Sequence, residues 1–335
     1  MVQFLGLLLL SFFITSFLIV PFIDLLYKIK FTRRRQKTKD IFERRTPVFD
    51  KFHSWKTGTP VGGGILLILI VSLLSLWAHA LLGIEGKFWE IFVLLFTFLS
   101  FGILGFVDDL LKFFVPKGRK FFGLRFQHKL LMQLVLGVFI GLIFYFKLKY
   151  NFLFIHWIGK IDIGPLFIPF TALTVTFLSN AFNITDGLDG LSCGLLIICL
   201  FAFGILASRI LDPTLGIFIS IWLGSLIAFL YFNVYPARIW LGDVGALSFG
   251  ATLAVVGLLT GKIIAVGVIG SIFIFEALSS LLQLSAKRFW GRKIFKVAPF
   301  HLLLQEKGWE EPKIVMRFWL AGIVVSIFGL WLAAL

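Results

Sequence analysis

Residues 191–208, LSCGLLIICLFAFGILAS, form an apolar run of eighteen residues without a charge. A helix needs about 20 mainly apolar residues to cross a bilayer, so this run predicts a membrane-spanning helix. Nine further apolar runs, separated by charged segments, carry the same signal. We therefore predict ten spans: 3–26, 63–82, 91–107, 130–146, 166–182, 191–208, 215–232, 244–260, 263–284 and 314–335.

The composition supports the same fold class. Of the 335 residues, 59% are apolar and only 15% are charged, and the mean hydropathy is +0.99. A soluble domain is about half apolar and about a quarter charged, and a disordered chain is less apolar still. The sequence therefore predicts an all-α polytopic integral membrane protein, formed by a single transmembrane domain over residues 1–335.

The basic residues predict which side each connection faces. One alternating set of connections, with its flanks, holds 26 of the 32 lysines and arginines. Because cytoplasmic loops are enriched in these residues, this set is predicted to be cytoplasmic, with both termini outside. The same rule explains the net charge of +15 without a nucleic-acid partner. Residues 151–165, on the outer side, are predicted to form a small β-hairpin. The cytoplasmic set is 27–62, 108–129, 183–190, 233–243 and 285–313.

An acidic pair closes the third predicted span. Asp108 and Asp109 lie within FVDDLLK, and Lys112 follows about one turn later on the same helix face. A like-charged pair at the end of a membrane helix is costly unless a cation neutralises it. Mg²⁺, which binds one or two carboxylates together with phosphates, would do so. A solvated helix end is the simpler alternative.

The connection after the fifth span is polar within an apolar region. It reads NAFNITDGLDG over residues 180–190 and brings together Asn183, Thr185, Asp186 and Asp189. Carboxylates and amides beside flexible glycines suit a ribose, a base edge or a metal. Ordinary turn chemistry is the alternative.

Two glycine-rich segments are candidates for phosphate binding. LGDVG at 241–245 opens the eighth span, where glycines beside Asp243 allow close approach and a helix N-terminus favours phosphate. A plain helix cap explains Asp243 equally well. KTGTPVGGG at 56–64 can cradle phosphate or serve as a flexible helix entry. The basic run from Lys28 to Lys56 is explained better by anionic headgroups than by substrate.

Three further polar residues lie near the end of the chain. Glu276 is in the middle of the ninth span, with Gln283 two turns later. An intramembrane acid is a functional candidate, and a brace between helices is equally consistent. His301 follows a proline in an electropositive loop, where a phosphate contact and a structural role are both consistent. Residues 300–309 are predicted to form an amphipathic surface helix.

These features favour phosphoryl transfer from a soluble nucleotide conjugate to a lipid phosphate, because acidic, basic and glycine-rich segments share one predicted membrane face. A transporter or flippase is the rival from another class. It is disfavoured because the acidic residues gather at one face and the chain shows no repeated halves.

The chain resembles the polyprenyl-phosphate sugar-1-phosphate transferases, and within them the phospho-N-acetylmuramoyl-pentapeptide transferases. The resemblance covers nearly the whole chain and is most specific at 183–190, at 242–245 and in KGWEEP at 307–312, which runs on to RFW at 317–319. It implies ten spans, Mg²⁺ and an active site on the cytoplasmic face of the bacterial inner membrane. It implies UDP-N-acetylmuramoyl-pentapeptide as donor and undecaprenyl phosphate as acceptor, with lipid I and UMP as products. A homodimer is left open.

The resemblance also implies roles for individual residues. Asp243 matches the Mg²⁺-binding aspartate, and Asp108 is the candidate base on the lipid phosphate. Trp240 stands where the family often has a phenylalanine against the uracil. The candidate catalytic residues are Asp108, Asp109, Asp243 and His301. The candidate substrate-binding residues, with Lys112 included for its place beside the acidic pair, are Lys56, Lys112, Lys129, Asn183, Asp186, Asp189, Asn233, Trp240 and Gln283.

The chain departs from the family pattern at two places. Three consecutive histidines usually follow the proline, whereas here His301 is followed by Leu302 and Leu303. Val61 and Gly62 replace a usual Thr-Met pair in the glycine-rich segment. Both changes affect predicted contacts to the donor, so a relative that uses UDP-N-acetylglucosamine is the alternative. The KGW segment at 307–309 favours the muramoyl-pentapeptide class.

Overall fold

The computed structural model describes residues 2–33, 56–84, 87–114, 123–155 and 158–335. Most of the basic run, with His53, lies outside these residues. Strands β1 (Phe152–Ile155) and β2 (Gly159–Asp162) pair antiparallel, with Phe152 opposite Asp162. The helices of the described residues are α1 (Val2–Lys28), α2 (Gly63–Leu82), α3 (Phe88–Phe114), α4 (Phe126–Leu142), α5 (Phe167–Thr185), α6 (Leu191–Arg209), α7 (Pro213–Asn233), α8 (Gly242–Leu259), α9 (Ile263–Ile269), α10 (Ser271–Phe289), α11 (Phe300–Glu306) and α12 (Glu311–Ala334).

The prediction of a polytopic membrane fold is confirmed. Within the described ranges, nine helices are long and apolar enough to cross a membrane, and the bent pair α9–α10 raises the number to ten if it forms one span. Short segments adjoin α4 and α5: a π-helical turn at Ile143–Lys147 and a 3₁₀ turn at Gly164–Leu166. The predicted hairpin is present as the β1–β2 pair.

The ninth predicted span differs from the continuous helix expected over 263–284. The chain breaks at Gly270, and α9 and α10 meet at an angle of 71°. Glycine has a low helix propensity because its backbone loses more conformational freedom on ordering than that of any other residue, so an interruption of the helix there costs little. Beyond the break, α9 packs against α12 while α10 packs against α5. The bend carries Glu276 and Gln283 to a different part of the bundle from α9.

Helix α8 is the central helix of the bundle. Of its most apolar window, 89% is buried inside the protein, compared with 28% for α1. It packs mainly against α3 and α5. Because α8 is enclosed by other helices, Asp243 in its first turn is fixed relative to the ends of both neighbours. The centre of the fold therefore also positions the principal candidate site residue.

A glycine allows α3 and α8 to approach closely. A Cβ atom on Gly105 would overlap the backbone carbonyl of Asp243 and would lie 2.6 Å from the nitrogen of Val244. The clash is with backbone, which cannot rotate away. Gly105 is therefore required for the contact that places the first turn of α8.

We expect Gly105→Ala to lower the free energy of unfolding by about 1–3 kcal/mol, the usual effect of overpacking a filled core. The measurement is the thermal unfolding midpoint of the purified protein in detergent. Gly6→Ala is the matched control, because a Cβ at this helical glycine has no atom within 4 Å. Equal midpoints for the two variants would contradict the proposed close contact.

The bundle has two chemically different ends. At one end Lys87 pairs with Glu90 and with Asp212, and the Tyr150 hydroxyl donates to the Leu259 carbonyl at 2.9 Å. The hairpin lies at this same end. The candidate site residues all lie at or near helix termini at the opposite end, because successive spans reverse direction. The prediction that the aspartates gather at one end of the spans agrees with this geometry.

The predicted surface helix over 300–309 differs from the structure. Helix α11 is shorter, and its residues His301, Leu302 and Leu304 are buried. It packs against α10 and α12. The segment is thus part of the protein interior at this end of the bundle.

Candidate functional site

Asp243 lies at the centre of a cluster of charged side chains. It occupies the first turn of α8. Its Oδ2 atom lies 2.8 Å from Lys112 Nζ and 2.5 Å from Lys129 Nζ. The amide of Asn183 donates to Oδ1 at 3.2 Å. Four helix termini therefore meet at one carboxylate: the ends of α3 and α5 and the beginnings of α4 and α8.

Asp108 shares the same two lysines. Its Oδ2 atom lies 3.1 Å from Lys112 Nζ and 3.0 Å from Lys129 Nζ. The other oxygen accepts a hydrogen bond from the Leu124 backbone at 2.7 Å. Two ammonium groups thus bridge two carboxylates from different helices. This arrangement offsets the repulsion that the sequence predicted for adjacent acids.

Asp109 has a different set of contacts from Asp108. Its Oδ2 atom accepts the backbone N–H of Val244 at 3.2 Å, one of the free donors in the first turn of α8. It also lies beside Gly242, whose φ of 75° places it in the left-handed region. Lys112 Nζ is more distant, at 3.6 Å. Asp109 therefore stabilises the α8 N-terminus on which Asp243 is placed.

We call Asp108, Asp109, Asp243, Lys112 and Lys129 the aspartate–lysine cluster. Its three carboxylates and two ammonium groups leave one negative charge when all are ionised. The Asp243 side chain is 18% exposed, against 4% for Asp108 and 3% for Asp109. Asp243 is therefore the most accessible of the three carboxylates, and Lys112, which is 24% exposed, is the most exposed member of the cluster.

The donor atoms of the cluster suit a hard divalent cation. Among the described residues, no three histidine, cysteine, aspartate or glutamate side chains are arranged as a metal-binding group. Mg²⁺ does not need such a cage, because it commonly takes one or two carboxylates and completes its shell with water and phosphate. Asp243 provides a partly exposed carboxylate, and Asn183 lies beside it, with its amide nitrogen donating to Asp243 Oδ1. The residues present therefore fit Mg²⁺ held jointly with a phosphate-bearing substrate.

The loop between α5 and α6 holds two further aspartates in separate surroundings. The Ser192 hydroxyl donates to Asp186. Burial raises the pKa of Asp186 to about 6, and the Ser192 hydrogen bond opposes this shift. Asp189 is buried, and its Oδ2 atom accepts the Ala237 backbone N–H at 2.9 Å.

Asp189 belongs to a second charged group, which we call the Glu311 triad: Lys56, Asp189 and Glu311. Lys56 Nζ lies 2.7 Å from Asp189 Oδ1 and 2.5 Å from Glu311 Oε1. The same Glu311 oxygen accepts the Asp189 backbone N–H at 2.7 Å. Glu311 is not among the site residues predicted from the sequence. The available signal was an acid within KGWEEP, immediately before the last predicted span.

Trp240 lies beside the Glu311 triad. Lys56 Nζ lies 5.2 Å from the centre of its ring, and the Arg33 guanidinium lies 4.5 Å from it. Its backbone carbonyl accepts hydrogen bonds from Gly62 and Gly63 at the start of α2. The glycine-rich segment and Trp240 therefore form one unit, as expected if both contribute to a nucleotide site.

Asn233 and Gln283 make contacts that organise backbone. Asn233 donates to the Ile239 carbonyl at 2.9 Å, while its Oδ1 atom is buried and has no hydrogen-bond partner among the described residues. Gln283 Oε1 accepts the backbone N–H groups of Ile294 and Phe295, and Nε2 donates to the Phe295 carbonyl. Among the described residues, neither side chain forms a hydrogen bond with a member of the aspartate–lysine cluster. Both hold the connections beside it.

Glu276 and His301 form a buried pair. His301 Nδ1 lies 3.0 Å from Glu276 Oε2, and the His301 backbone N–H donates to Oε1 at 3.1 Å. The other ring nitrogen faces the loop at residues 186–190 between α5 and α6, which we call the aspartate loop, because a Cβ on Gly187 would lie 2.5 Å from His301 Nε2. Glu276 therefore has both of the roles considered for it: it braces α11, and it orients His301, a candidate site residue.

The aspartate–lysine cluster lies within a region of the chain that matches a known protein family. Residues 91–261, about half of the chain, match the model of glycosyl transferase family 4. This range includes Asp108, Asp109, Lys129, Asn183 and Asp243.

Curated relatives extend the likeness over most of the chain. A phospho-N-acetylmuramoyl-pentapeptide-transferase of Caldanaerobacter subterraneus is 34% identical over 283 residues, covering 84% of this chain and 87% of the relative. Proteins of the same name from Thermodesulfovibrio yellowstonii and Aquifex aeolicus are each 32% identical, covering 96% and 94% of this chain and 90% and 91% of the relatives. This multi-pass membrane protein therefore belongs to the phospho-N-acetylmuramoyl-pentapeptide-transferase family.

Proposed function

We propose that the protein transfers phospho-N-acetylmuramoyl-pentapeptide from its UDP-linked donor to undecaprenyl phosphate, producing lipid I and UMP for peptidoglycan synthesis. The observation that carries this proposal is the convergence of Asp108, Asp243, Lys112, Lys129 and Asn183 at one end of the apolar bundle. A charged cluster at the membrane boundary suits a reaction between an aqueous and a lipid-anchored phosphate. The family membership supports the same substrates.

The proposed reaction forms one phosphorus–oxygen bond and breaks another. A phosphate oxygen of the acceptor attacks the donor phosphorus next to the sugar. The bond from that phosphorus to the bridging oxygen breaks, and UMP leaves with this oxygen. Lys112 and Lys129 reduce the negative charge that accumulates between the two phosphates. Asp108, which contacts both lysines, is placed to take a proton from the acceptor phosphate.

Phosphoryl transfer between nucleotides and phosphorylated acceptors generally requires a divalent cation. We propose Mg²⁺, held by Asp243 with support from Asn183. When bound, the ion would neutralise the donor pyrophosphate and assist departure of UMP. Asp243 reaches a donor most directly because its side chain is the most exposed of the three carboxylates.

The nucleotide end of the site is assigned to the neighbouring segments. Trp240 offers an aromatic face for the uracil, flanked by Lys56. Asp186 and Asp189 lie in the loop next to it, and His301 faces this loop from the other side. Asn233 and Gln283 act by holding the adjacent connections. We place this end of the bundle in the cytoplasm of a bacterial inner membrane, with both termini outside, because it carries most of the basic residues.

A direct test offers the purified protein two donors separately, each with undecaprenyl phosphate and Mg²⁺. We expect UMP release with UDP-N-acetylmuramoyl-pentapeptide and little with UDP-N-acetylglucosamine. Chelating the metal should stop the reaction, and adding Mg²⁺ should restore it. Omitting undecaprenyl phosphate is the control, because UMP released without acceptor would be hydrolysis. Turnover with UDP-N-acetylglucosamine alone would replace the proposed donor.

A further inference from the structure

The Glu311 triad joins three segments that are far apart in the chain. Lys56 precedes α2, Asp189 lies between α5 and α6, and Glu311 begins α12. All three residues are buried, with 2%, 3% and 7% of their surfaces exposed. One oxygen of Glu311 accepts from both the Lys56 ammonium and the Asp189 backbone N–H. Glu311 is therefore the residue that connects the other two.

Stability alone is a weak explanation for this arrangement. Burying charged groups carries a large desolvation cost, and apolar residues of similar volume often give an equally stable core. The triad also contains two carboxylates for one lysine, which leaves excess negative charge when all are ionised. An arrangement of this kind is better explained by the need to hold particular atoms in fixed positions.

The atoms held in this way belong to the nucleotide end of the site. Lys56 lies over the Trp240 ring, and Asp189 fixes the Ala237 backbone in the connection that leads to Trp240. Glu311 accepts a hydrogen bond from the Asp189 backbone N–H, and Asp189 lies in the same loop as Asp186. Moving Glu311 would thus shift both the aromatic face and the aspartate loop. The aspartate–lysine cluster has separate contacts and would be less affected.

We propose that Glu311 is a positioning residue of the donor site, which acts through Lys56 and Asp189 to set the uridine-nucleotide affinity. This inference rests on the proposed function. Glu311 itself needs no contact with the donor. Its effect is therefore expected in donor affinity and not in the chemical step or in acceptor affinity.

The test is Glu311→Gln, which keeps an oxygen for the Asp189 N–H but removes the charge facing Lys56. We expect the donor KM and the UMP dissociation constant each to rise about tenfold, as for the loss of a charge-assisted contact. The kcat and the KM for undecaprenyl phosphate should stay within about twofold. Glu310→Gln is the matched control, because Glu310 is the adjacent acid and is exposed. It should behave like the wild type in every measurement.

A purely structural role would lower the unfolding midpoint and the active fraction while leaving the donor KM and UMP binding unchanged, and this result would overturn the proposal. Glu311→Asp retains the charge with a shorter reach and should give a donor KM between those of the wild type and Glu311→Gln. It also serves as the test if the glutamine variant does not fold, with an unchanged donor KM counting against the proposal. Failure of the wild type to bind UMP or to release it would instead contradict the proposed function.

Discussion

Asp243→Asn should lower kcat by about a thousandfold or more while the protein remains folded in detergent. The Asp243 carboxylate contacts both Lys112 and Lys129, and an asparagine nitrogen in place of Oδ2 would face two ammonium groups. The variant also removes the most exposed negative charge available to a divalent cation. The hydrogen bond from Asn183 to the remaining oxygen can persist, so the side chain keeps its place. The measurement is UMP release at saturating donor and acceptor, over a range of Mg²⁺ concentrations.

Asp212→Asn is the control for this experiment. Asp212 also lies at a helix N-terminus with a lysine partner, since it caps α7 and lies 3.2 Å from Lys87. It lies at the opposite end of the bundle, and asparagine is an equally good cap. Its activity should therefore match that of the wild type. Wild-type rates from Asp243→Asn would remove Asp243 from the mechanism.

Hydropathy predicted the fold because it reports a direct physical requirement. A chain in lipid must satisfy its backbone groups within each span, so long apolar runs become helices. The break at Gly270 was not predictable in the same way. A bend inside an apolar run leaves composition unchanged, and here it depends on how α9 and α10 pack on different neighbours. Local sequence can identify the weak point but not the angle.

The site was partly predictable for a related reason. Alternating spans bring every second connection to the same end, so the sequence predicts that Asp108, Asp186 and Asp243 lie at one end of the bundle. The partners of each acid were not predictable. Glu311 pairs with a lysine 255 residues away, a contact to which no periodicity or local motif refers. Likewise, the sequence is consistent with a functional or a structural role for both Glu276 and His301. The contact between the two side chains is not visible in the sequence.

The difference between Asp108 and Asp109 is also visible only in three dimensions. The sequence presents them as one acidic pair. In the structure Asp108 contacts the two lysines, whereas Asp109 accepts a backbone N–H at the start of α8. Asp108 therefore has contacts suited to proton transfer and phosphate chemistry, whereas Asp109 supports the helix that holds Asp243. Substitutions at the two positions should have separable effects.

Asp108→Asn should lower kcat by about a hundredfold or more, the usual effect of losing a general base, with little change in the unfolding midpoint. Asp109→Ala should instead destabilise the protein by about 1–2 kcal/mol, because it leaves the Val244 N–H without its acceptor. The two measurements are initial rates of UMP release and thermal unfolding in the same detergent. Asp24→Asn, an exposed acid near the same end of the bundle in α1, is the control for both.

A large loss of stability in Asp108→Asn, or near-normal turnover with a normal fold, would contradict the assignment of Asp108 as the base. The separation follows from the geometry, since only Asp108 lies within 3.1 Å of both lysines that also contact Asp243.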